Sequence, residues 1–426
     1  MAIACLGRFE LVPHMNRNKL FYAYLIAATL FTKELFGVMI GNSVVDLYLI
    51  AVSAFGLLIG FNAPLVTRVG LCWSALLALS ATLLILFDYP MDILVNQGIP
   101  SAFVFMGIAG LLGFTDSASL IRAYRRVCLG ASCFGILQFA ASFAGLRLLM
   151  KEPGRLDSLA YEPSHYAIVI APAAFLALRQ MFQSRRFSDW RIWVVVWSLA
   201  LTFSVTGLIL LIVGILLTLF RRNGYVAVLA LVFFSFLLVS GSSYLPELIR
   251  VRVEAFTEAI EGGIEANEIS NLSVMSPLTN WEVANDAISR GRVLGNGIGG
   301  HFHAYNEYYG VTGFAEDYRF GTNAMGAHSL IIRVYSELGF LGLGAYLGFI
   351  FLGLREAARD RKPWLILGAI YLIGRMIKLG GFMEIGLPIF IVAPFAFNQV
   401  FVSSPEISSK RRGPRPKIRA SAVAQS

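Results

Sequence analysis

The stretch Ala327-His328-Ser329-Leu330 runs into an apolar segment that carries Ser336-Glu337-Leu338-Gly339-Phe340-Leu341-Gly342. This segment, 328–352, is long enough to cross a bilayer, which takes about 17–25 mostly apolar residues. A histidine at the water–lipid border and a glutamate nine residues further on are both costly in lipid, so they need a polar cavity. The stretch therefore predicts a membrane-spanning helix with a polar pocket at one end.

The rest of the chain repeats this apolar pattern. Of its 426 residues, 57% are hydrophobic and only 14% are charged, whereas soluble domains carry about 25% charged residues. We predict an all-α, polytopic integral membrane protein with about twelve transmembrane helices. The predicted spans are 20–36, 44–62, 69–87, 100–119, 127–148, 164–180, 191–204, 206–220, 224–241, 328–352, 364–380 and 386–402.

These spans divide the chain into four parts. Residues 1–241 hold the first nine helices and a short outer loop at 149–163, and 242–327 form one large outer loop. Residues 328–402 hold the last three helices, and the basic, polar tail 403–426 is predicted to be disordered.

Charge placement predicts the orientation. The net charge is +9, and the basic residues cluster in alternate short loops and in the tail. Because cytoplasmic loops are rich in Lys and Arg, this places both termini in the cytoplasm. The same placement favours anionic membrane lipids as partners of the basic tail and argues against nucleic acid.

Some basic residues depart from this rule and lie in the outer loops. The first loop holds Lys151 and Arg155, and the second holds Arg250, Arg252, Arg290, Arg292 and Arg319. Arg333, Arg375 and Lys378 lie at or just inside the outer ends of spans. Guanidinium groups bind diphosphate through paired hydrogen bonds and stay charged at any working pH. A lipid diphosphate is the predicted ligand; the alternative is that each cation touches headgroups or pairs with acids of the loop.

The sixth span opens with Tyr161-Glu162-Pro163-Ser164-His165-Tyr166. A helix start explains Pro163, which suits the first turn, and Ser164, which can satisfy free N–H groups there. It does not explain Glu162 beside His165. These two residues are either a buried hydrogen-bonded pair or part of a functional site.

The large outer loop offers two further features. Gly295-Asn296-Gly297-Ile298-Gly299-Gly300 matches a dinucleotide pattern but lacks its strand–helix–strand context, so we expect a turn that brings N–H groups near a sugar or phosphate. The spacing of His301 and His303 makes a poor zinc site without further ligands.

His328 is the better candidate for chemistry, because a neutral histidine can take a proton from an attacking hydroxyl. The alternative is that it only begins a helix at the headgroup level. Glu337 either orients the site or pairs with Arg333, one turn earlier on the same helix.

Together these residues resemble a known family. The span count, the two outer loops, the G-x-G before the tenth span and His328 followed by Glu337-Leu338-Gly339 are similar to the O-antigen polymerase and ligase superfamily of bacterial envelope glycosyltransferases. Tyr161-Glu162-Pro163-Ser164 resembles the E-P-S/A segment of the polymerases, and Thr202-Phe203-Ser204-Val205-Thr206-Gly207 resembles their short polar break.

The resemblance implies a GT-C-like fold in the bacterial inner membrane and an inverting, metal-independent transfer that uses no cofactor. A growing glycan on undecaprenyl diphosphate passes to a sugar hydroxyl of a second lipid-linked unit. His328 would be the base or would position the acceptor, and Arg155 with Arg290 or Arg292 would hold the diphosphate. Relatives carry an Arg shortly before the residue matching Trp281; this chain has none there, which leaves Arg290, Arg292 or Arg319 for that role.

Three functions remain, of which the third belongs to a different class of protein. Polymerisation of undecaprenyl-diphosphate-linked glycans, with a chain-length regulator protein as a further partner, is favoured by the E-P-S segment. A ligase that caps the lipid A core is second. A lipid-linked glycan flippase is third, because its ionisable groups should lie near mid-membrane, and here they lie at the outer ends of the spans.

Overall fold

The computed structural model describes residues 16–40, 43–146, 155–160, 162–185, 187–222, 272–312, 320–359, 361–384 and 386–397. Arg319, the predicted span 224–241 and the tail 403–426 lie outside these residues. The helices are α1 (Arg17–Ala28), α2 (Lys33–Phe36), α3 (Leu47–Gly60), α4 (Pro64–Leu86), α5 (Ile99–Leu112), α6 (Ser117–Phe143), α7 (Pro163–Ser184), α8 (Trp190–Ala200), α9 (Val205–Arg222), α10 (Leu272–Ser289), α11 (Gly300–Tyr308), α12 (Leu330–Arg359), α13 (Pro363–Ile377) and α14 (Leu387–Phe397).

Five helical segments are long and apolar enough to cross a membrane: Pro64–Leu86, Leu94–Leu112, Ser117–Phe143, Pro163–Ser184 and Leu330–Ala357. Five shorter apolar helices accompany them: Leu47–Gly60, Trp190–Ala200, Val205–Leu219, Pro363–Ile377 and Leu387–Phe397. The prediction of a helical membrane protein is therefore confirmed. A helix occurs at each predicted span within the described ranges, but twelve crossing helices are not confirmed, because several of them are too short.

The first predicted span, 20–36, is wrong in its second half. Helix α1 ends at Ala28, and a hairpin of β1 (Gly37–Ile40) and β2 (Ser43–Asp46) follows, with Gly37 opposite Asp46. The Asp46 carboxylate accepts hydrogen bonds from the Thr32 hydroxyl (2.9 Å) and from the Leu49 N–H at the start of α3 (3.1 Å). These bonds cap α3 and hold the hairpin against the end of the first helical segment.

Helices α3 and α5 pack with their backbones in close contact. A Cβ atom placed on Gly56 would lie 2.0 Å from the Gly107 carbonyl oxygen, and one on Gly110 would lie 2.1 Å from the Gly56 carbonyl oxygen. Gly60, four residues after Gly56, meets Gly110 in the same way. Small residues at this spacing let membrane helices approach closely enough for strong van der Waals packing.

Helix α12 breaks at Gly339, where φ is 61° and ψ is −153°. The break leaves carbonyl groups without helical partners, and the preceding loop supplies them: the Asn296 N–H donates to the Ser336 carbonyl and the Gly297 N–H to the Glu337 carbonyl, each at 2.9 Å. In addition, the Phe340 N–H donates to the Val293 carbonyl oxygen at 3.2 Å. The N–H groups of Asn296 and Gly297 are thus used by the protein itself, contrary to the expectation that this turn presents them to a ligand.

Helices α7, α12, α13 and α14 surround the centre of the core. Tyr371 of α13 stacks on Phe390 of α14 with ring centroids 4.4 Å apart, and the Tyr346 hydroxyl of α12 donates to the Leu372 carbonyl at 2.7 Å. Short connections make α12, α13 and α14 alternate in direction. The starts of α12 and α14 therefore lie at the same end as the end of α13, which we call the His328 end.

Candidate functional site

An ionic group joins the start of α7 to the end of α13 at the His328 end. The Lys378 ammonium pairs with the Glu162 carboxylate, which lies 3.9 Å from the His165 Nε2 and accepts a hydrogen bond from the Ser164 hydroxyl at 3.2 Å. Burial alone would raise the pKa of Glu162, but the hydrogen bond from Lys378 and the nearby His165 lower it overall. Glu162 and His165, predicted as a pair, are therefore brought together, with Lys378 as an additional partner.

A second ion pair lies in the segment between α13 and α14. The fully buried Arg375 places its Nη2 3.7 Å from the Glu384 carboxylate and donates to the Gly381 carbonyl at 2.5 Å and the Tyr371 hydroxyl at 3.2 Å. Arg375 lowers the pKa of Glu384, with smaller contributions from Lys33 and His165, although burial opposes this. The two ion pairs are thus electrostatically coupled.

Arg333 and Glu337 form the ion pair that their spacing predicted. The Arg333 Nε donates to the Glu337 carboxylate at 3.0 Å, and both side chains are almost completely buried. The guanidinium also bonds Gln97 and the Gly380 carbonyl oxygen (3.4 Å). Because its hydrogen bonds go to Glu337, Gly380 and Gln97, Arg333 is poorly placed to bind a ligand.

His328 lies beside the ionic group in a strained backbone conformation, with φ at 62°. Its Nδ1 is 3.1 Å from the Ser276 hydroxyl and 3.4 Å from the Asn323 amide nitrogen, and its ring also bonds the Ile377 backbone. The amide nitrogen can only donate, and Asn323 also donates to Ser276 at 2.9 Å. We therefore assign Nδ1 as the acceptor and Nε2 as the protonated nitrogen.

The surroundings of His328 keep its imidazole neutral. Burial lowers its pKa to about 4, and Lys378 lowers it further while Glu162 opposes. A histidine that is neutral over the physiological range and has an unprotonated nitrogen can accept a proton.

A chain of hydrogen bonds runs from His328 to the break in α12. The Asn280 amide donates to the Ser276 carbonyl at 2.7 Å, and its oxygen is 2.8 Å from the His301 Nε2. The His301 Nδ1 in turn is 2.8 Å from the Ser336 hydroxyl. Burial and the nearby Arg333 lower the pKa of His301 to about 3. His301 is thus a buried connecting residue, and the described ranges contain no group of three or more His, Cys, Asp or Glu side chains suited to a metal.

Arg290 and Arg292 belong to a separate aromatic cluster. The Arg292 guanidinium bonds both Glu307 carboxylate oxygens (3.1 Å each), the Tyr89 hydroxyl and the Asn296 side chain (3.0 Å). Arg290 is exposed, with its guanidinium 5.0 Å from the centre of the Tyr308 ring. Asn296 links this cluster to the broken helix, since its amide also donates to the Ser336 carbonyl at 2.9 Å.

Arg155 lies at the polar break between α8 and α9. It is 5% exposed, and its Nε donates to the Thr202 carbonyl at 3.3 Å, at the end of α8. The Ser204 hydroxyl accepts the Gly207 N–H at 2.9 Å and so caps the start of α9. The predicted break is confirmed, and the contact to Thr202 places Arg155 where a cation stabilises the negative end of a helix.

The structure therefore divides the predicted site residues. His328, Glu162 and His165 share one electrostatic environment. Arg333 and Glu337 are neighbours of this group, because Arg333 bonds Gly380 in the α13–α14 segment. Arg290, Arg292 and Arg155 lie in other groups. Sequence reasoning missed Glu384 and the polar partners of His328 and His301, although Ser276 and Asn280 lie one turn apart on α10. It noted Lys378 without giving it a role.

The fold and this site define a helical membrane protein with a buried network of ionisable groups at one end of its helices. No protein-family profile matches the chain, and no curated protein matches it. An assignment of function therefore rests on the geometry.

Proposed function

We propose that the protein is a polyprenyl-diphosphate-dependent glycosyltransferase, which polymerises undecaprenyl-diphosphate-linked oligosaccharide units at the periplasmic face of the bacterial inner membrane. The observation that carries this proposal is the neutral His328, whose Nδ1 accepts a hydrogen bond from a hydroxyl beside a cationic side chain. A sugar hydroxyl that replaced the Ser276 hydroxyl would stand at the same distance from the same nitrogen.

The reaction then proceeds by one displacement. The acceptor oxygen attacks the anomeric carbon of the donor, its proton passes to the His328 Nδ1, and the bond from that carbon to the diphosphate oxygen breaks with the electron pair leaving on the diphosphate. A single displacement inverts the configuration at the anomeric carbon. The imidazolium is neutralised afterwards by passing its proton to water or to the released diphosphate.

Lys378 is the cation best placed to meet the leaving diphosphate, because its charge already acts on His328. The Lys378 side chain is 31% exposed, whereas the Arg333 side chain is 3% exposed and already paired. A cation near the leaving group stabilises the charge that develops as the bond breaks. The proposal therefore gives the main diphosphate contact to Lys378 and not to Arg155 with Arg290 or Arg292, which lie in other groups of residues.

Charge at the two ends of the helices supports the proposed orientation. At the end opposite His328, basic residues lie in the first turns of α6, in the last two turns of α7 and in the last turns of α12. They are Arg122, Arg125, Arg126, Arg179, Arg355 and Arg359. Because such residues favour the cytoplasmic side, the proposal has the His328 end in the periplasm and both termini in the cytoplasm. Membrane lipids and a chain-length regulator protein are the further partners of this proposal.

The test is a strain whose own copy is replaced by His328→Ala, with His303→Ala as the matched control. We expect His328→Ala to abolish chain extension while single repeat units still reach the outer leaflet and are capped onto the core. We expect His303→Ala to leave the glycan length unchanged, since the contacts of His303 are outside the His328 network. Its Nε2 is 3.8 Å from the Asp92 carboxylate, and its ring also bonds the Pro90 backbone and lies 5.1 Å from the Tyr89 ring.

Two results would favour the other functions. If lipid-linked units accumulate on the inner face, the protein is a transporter. If long glycans form on the lipid carrier but none is joined to the lipid A core, it is a ligase.

A further inference from the structure

Two adjoining cavities lie at the ends of α7, α12 and α13 that are remote from His328. The larger, of about 440 Å³, is lined by Arg125 of α6 and by Arg179, Gln180 and Gln183 of α7. Arg179 lies fourteen residues along α7 from His165, which corresponds to about 21 Å at the helical rise. The cavities are therefore separate from the site described above.

The two cavities differ in character but share residues. Arg179 and Gln183 line both, and the smaller cavity, of about 260 Å³, adds the apolar side chains of Phe175, Phe182 and Leu217. A cationic, amide-lined space thus continues into an apolar one. An anion with an attached hydrocarbon chain has the same two-part character.

The cationic side chains are held in place at this end. The Arg125 guanidinium bonds the Gln180 side chain, which fixes it at the wall of the larger cavity. Asp189, the N-cap of α8, lies near enough to Arg125 to attract it electrostatically, and its carboxylate also accepts a hydrogen bond from the Arg191 N–H at 3.1 Å. Two guanidinium groups beside two amides form a suitable set of donors for a phosphate group.

The position matches the border between lipid and water. The neighbouring start of α8 exposes Trp190 and Trp193, at 51% and 39%, and Phe187 just before it at 50%. Exposed tryptophans gather at the headgroup level of a bilayer. A ligand that enters these cavities from the side therefore meets them at the depth of lipid headgroups.

We propose that the paired cavities bind the phosphate headgroup of an anionic membrane lipid, with the phosphate between Arg125 and Arg179 and the start of an acyl chain against Phe175, Phe182 and Leu217. This site is independent of the proposed glycosyl transfer. A lipid bound in the paired cavities would hold together the ends of α6, α7, α9 and α13. It would thereby stabilise the helices that carry the His328 network.

The test uses the purified full-length protein in detergent. Native mass spectrometry counts bound lipid during titration with dioleoylphosphatidylglycerol or dioleoylphosphatidylcholine, and a third arm adds inorganic phosphate. The variants are Arg179→Gln and Arg125→Gln, and the control is Arg68→Gln, because Arg68 is an exposed cation at the start of α4 that lines neither cavity. Circular dichroism and size-exclusion elution confirm that each variant is folded.

We expect the wild-type protein to retain phosphatidylglycerol in preference to phosphatidylcholine, each Arg→Gln change at the cavities to weaken that binding about tenfold, and Arg68→Gln to leave it unchanged. If Arg179→Gln does not fold, the test rests on Arg125→Gln, which changes the cavity from a different helix. Equal retention of both lipids, or equal loss in the Arg68 control, would overturn the proposal. Competition by inorganic phosphate without any lipid preference would also overturn it, and would assign the cavities to a soluble phosphate compound.

Discussion

At the scale of single residues, the proposed mechanism depends on keeping His328 neutral. Its Nδ1 receives hydrogen bonds from Ser276 and Asn323, and Lys378 lies close enough to disfavour a second positive charge. Glu162 offsets part of that effect through its pair with Lys378. Lys378 therefore lowers the pKa of His328 and, in the proposed mechanism, also binds the diphosphate.

This arrangement predicts an unusual pH dependence. A base must be neutral to work, and because burial and Lys378 lower the pKa of His328 to about 4, its neutral form persists well below the ordinary histidine range. We expect the rate of glycan transfer to stay level as the pH falls to about 5 and to decline as it passes through about 4. The measurement is the initial rate of glycan transfer by the purified protein over a pH range that covers both the level part and the decline.

The variant Lys378→Gln tests whether the acid decline comes from His328. Removing the positive charge should raise the pKa of His328 and so move the acid decline to higher pH, while the plateau rate falls because a diphosphate contact is lost. An acid decline near pH 6.5 that does not move in Lys378→Gln would show that His328 is not the titrating base.

The pairings at this scale were only partly predictable. Arg333 and Glu337 could be paired from the sequence, because residues four apart on a helix face each other. Glu162 and Lys378 are 216 positions apart, and only the packing of α7 against α13 brings them together. The sequence therefore shows which ionisable residues lie in or beside membrane spans, but the pairing of distant residues depends on how the helices pack.

At the scale of helices, the break in α12 is the feature on which the site depends. Gly339 adopts φ of 61°, and a Cβ atom there would lie 2.1 Å from the Val293 carbonyl oxygen. The freed carbonyl groups of Ser336 and Glu337 hold the loop that begins α11, and α11 carries His301. A change at Gly339 should therefore affect both the helix and the hydrogen-bond chain to His328.

We predict that Gly339→Ala destabilises the protein by about 1–3 kcal/mol from backbone strain alone, with the steric contact adding to this. Gly344→Ala is the matched control on the same helix, since a Cβ atom at Gly344 meets nothing within 4 Å. Thermal unfolding in detergent compares the two. Equal unfolding temperatures for both variants would mean that the break is not a required feature.

The apolar blocks predicted the helices well, because burying backbone polar groups in lipid leaves few alternatives to a helix. The Pro163 start of α7 and the Thr202–Gly207 break also followed from local rules. The hairpin after α2 and the break at Gly339 did not. Both depend on contacts between distant segments, such as Thr32 with Asp46 and Phe340 with Val293, which no local pattern shows.

At the scale of the whole molecule, the two ends of the bundle are chemically distinct. One end gathers paired acids and bases with a neutral histidine, and the other is rich in arginines around the paired cavities. In the proposed account this asymmetry orients the protein in the bilayer and separates a reaction site on one face from lipid contacts on the other. The proposed chemistry requires this separation, because donor and acceptor glycans meet on the face away from the cytoplasm.

The most direct measurement supplies the purified protein with a synthetic undecaprenyl-diphosphate-linked repeat unit and follows the lipid-linked products by mass spectrometry. We predict that the wild-type protein and His303→Ala form dimers and longer chains with release of undecaprenyl diphosphate, whereas a folded His328→Ala variant forms none. Chain extension by His328→Ala at the wild-type rate, or its absence in the wild-type protein, would contradict the account.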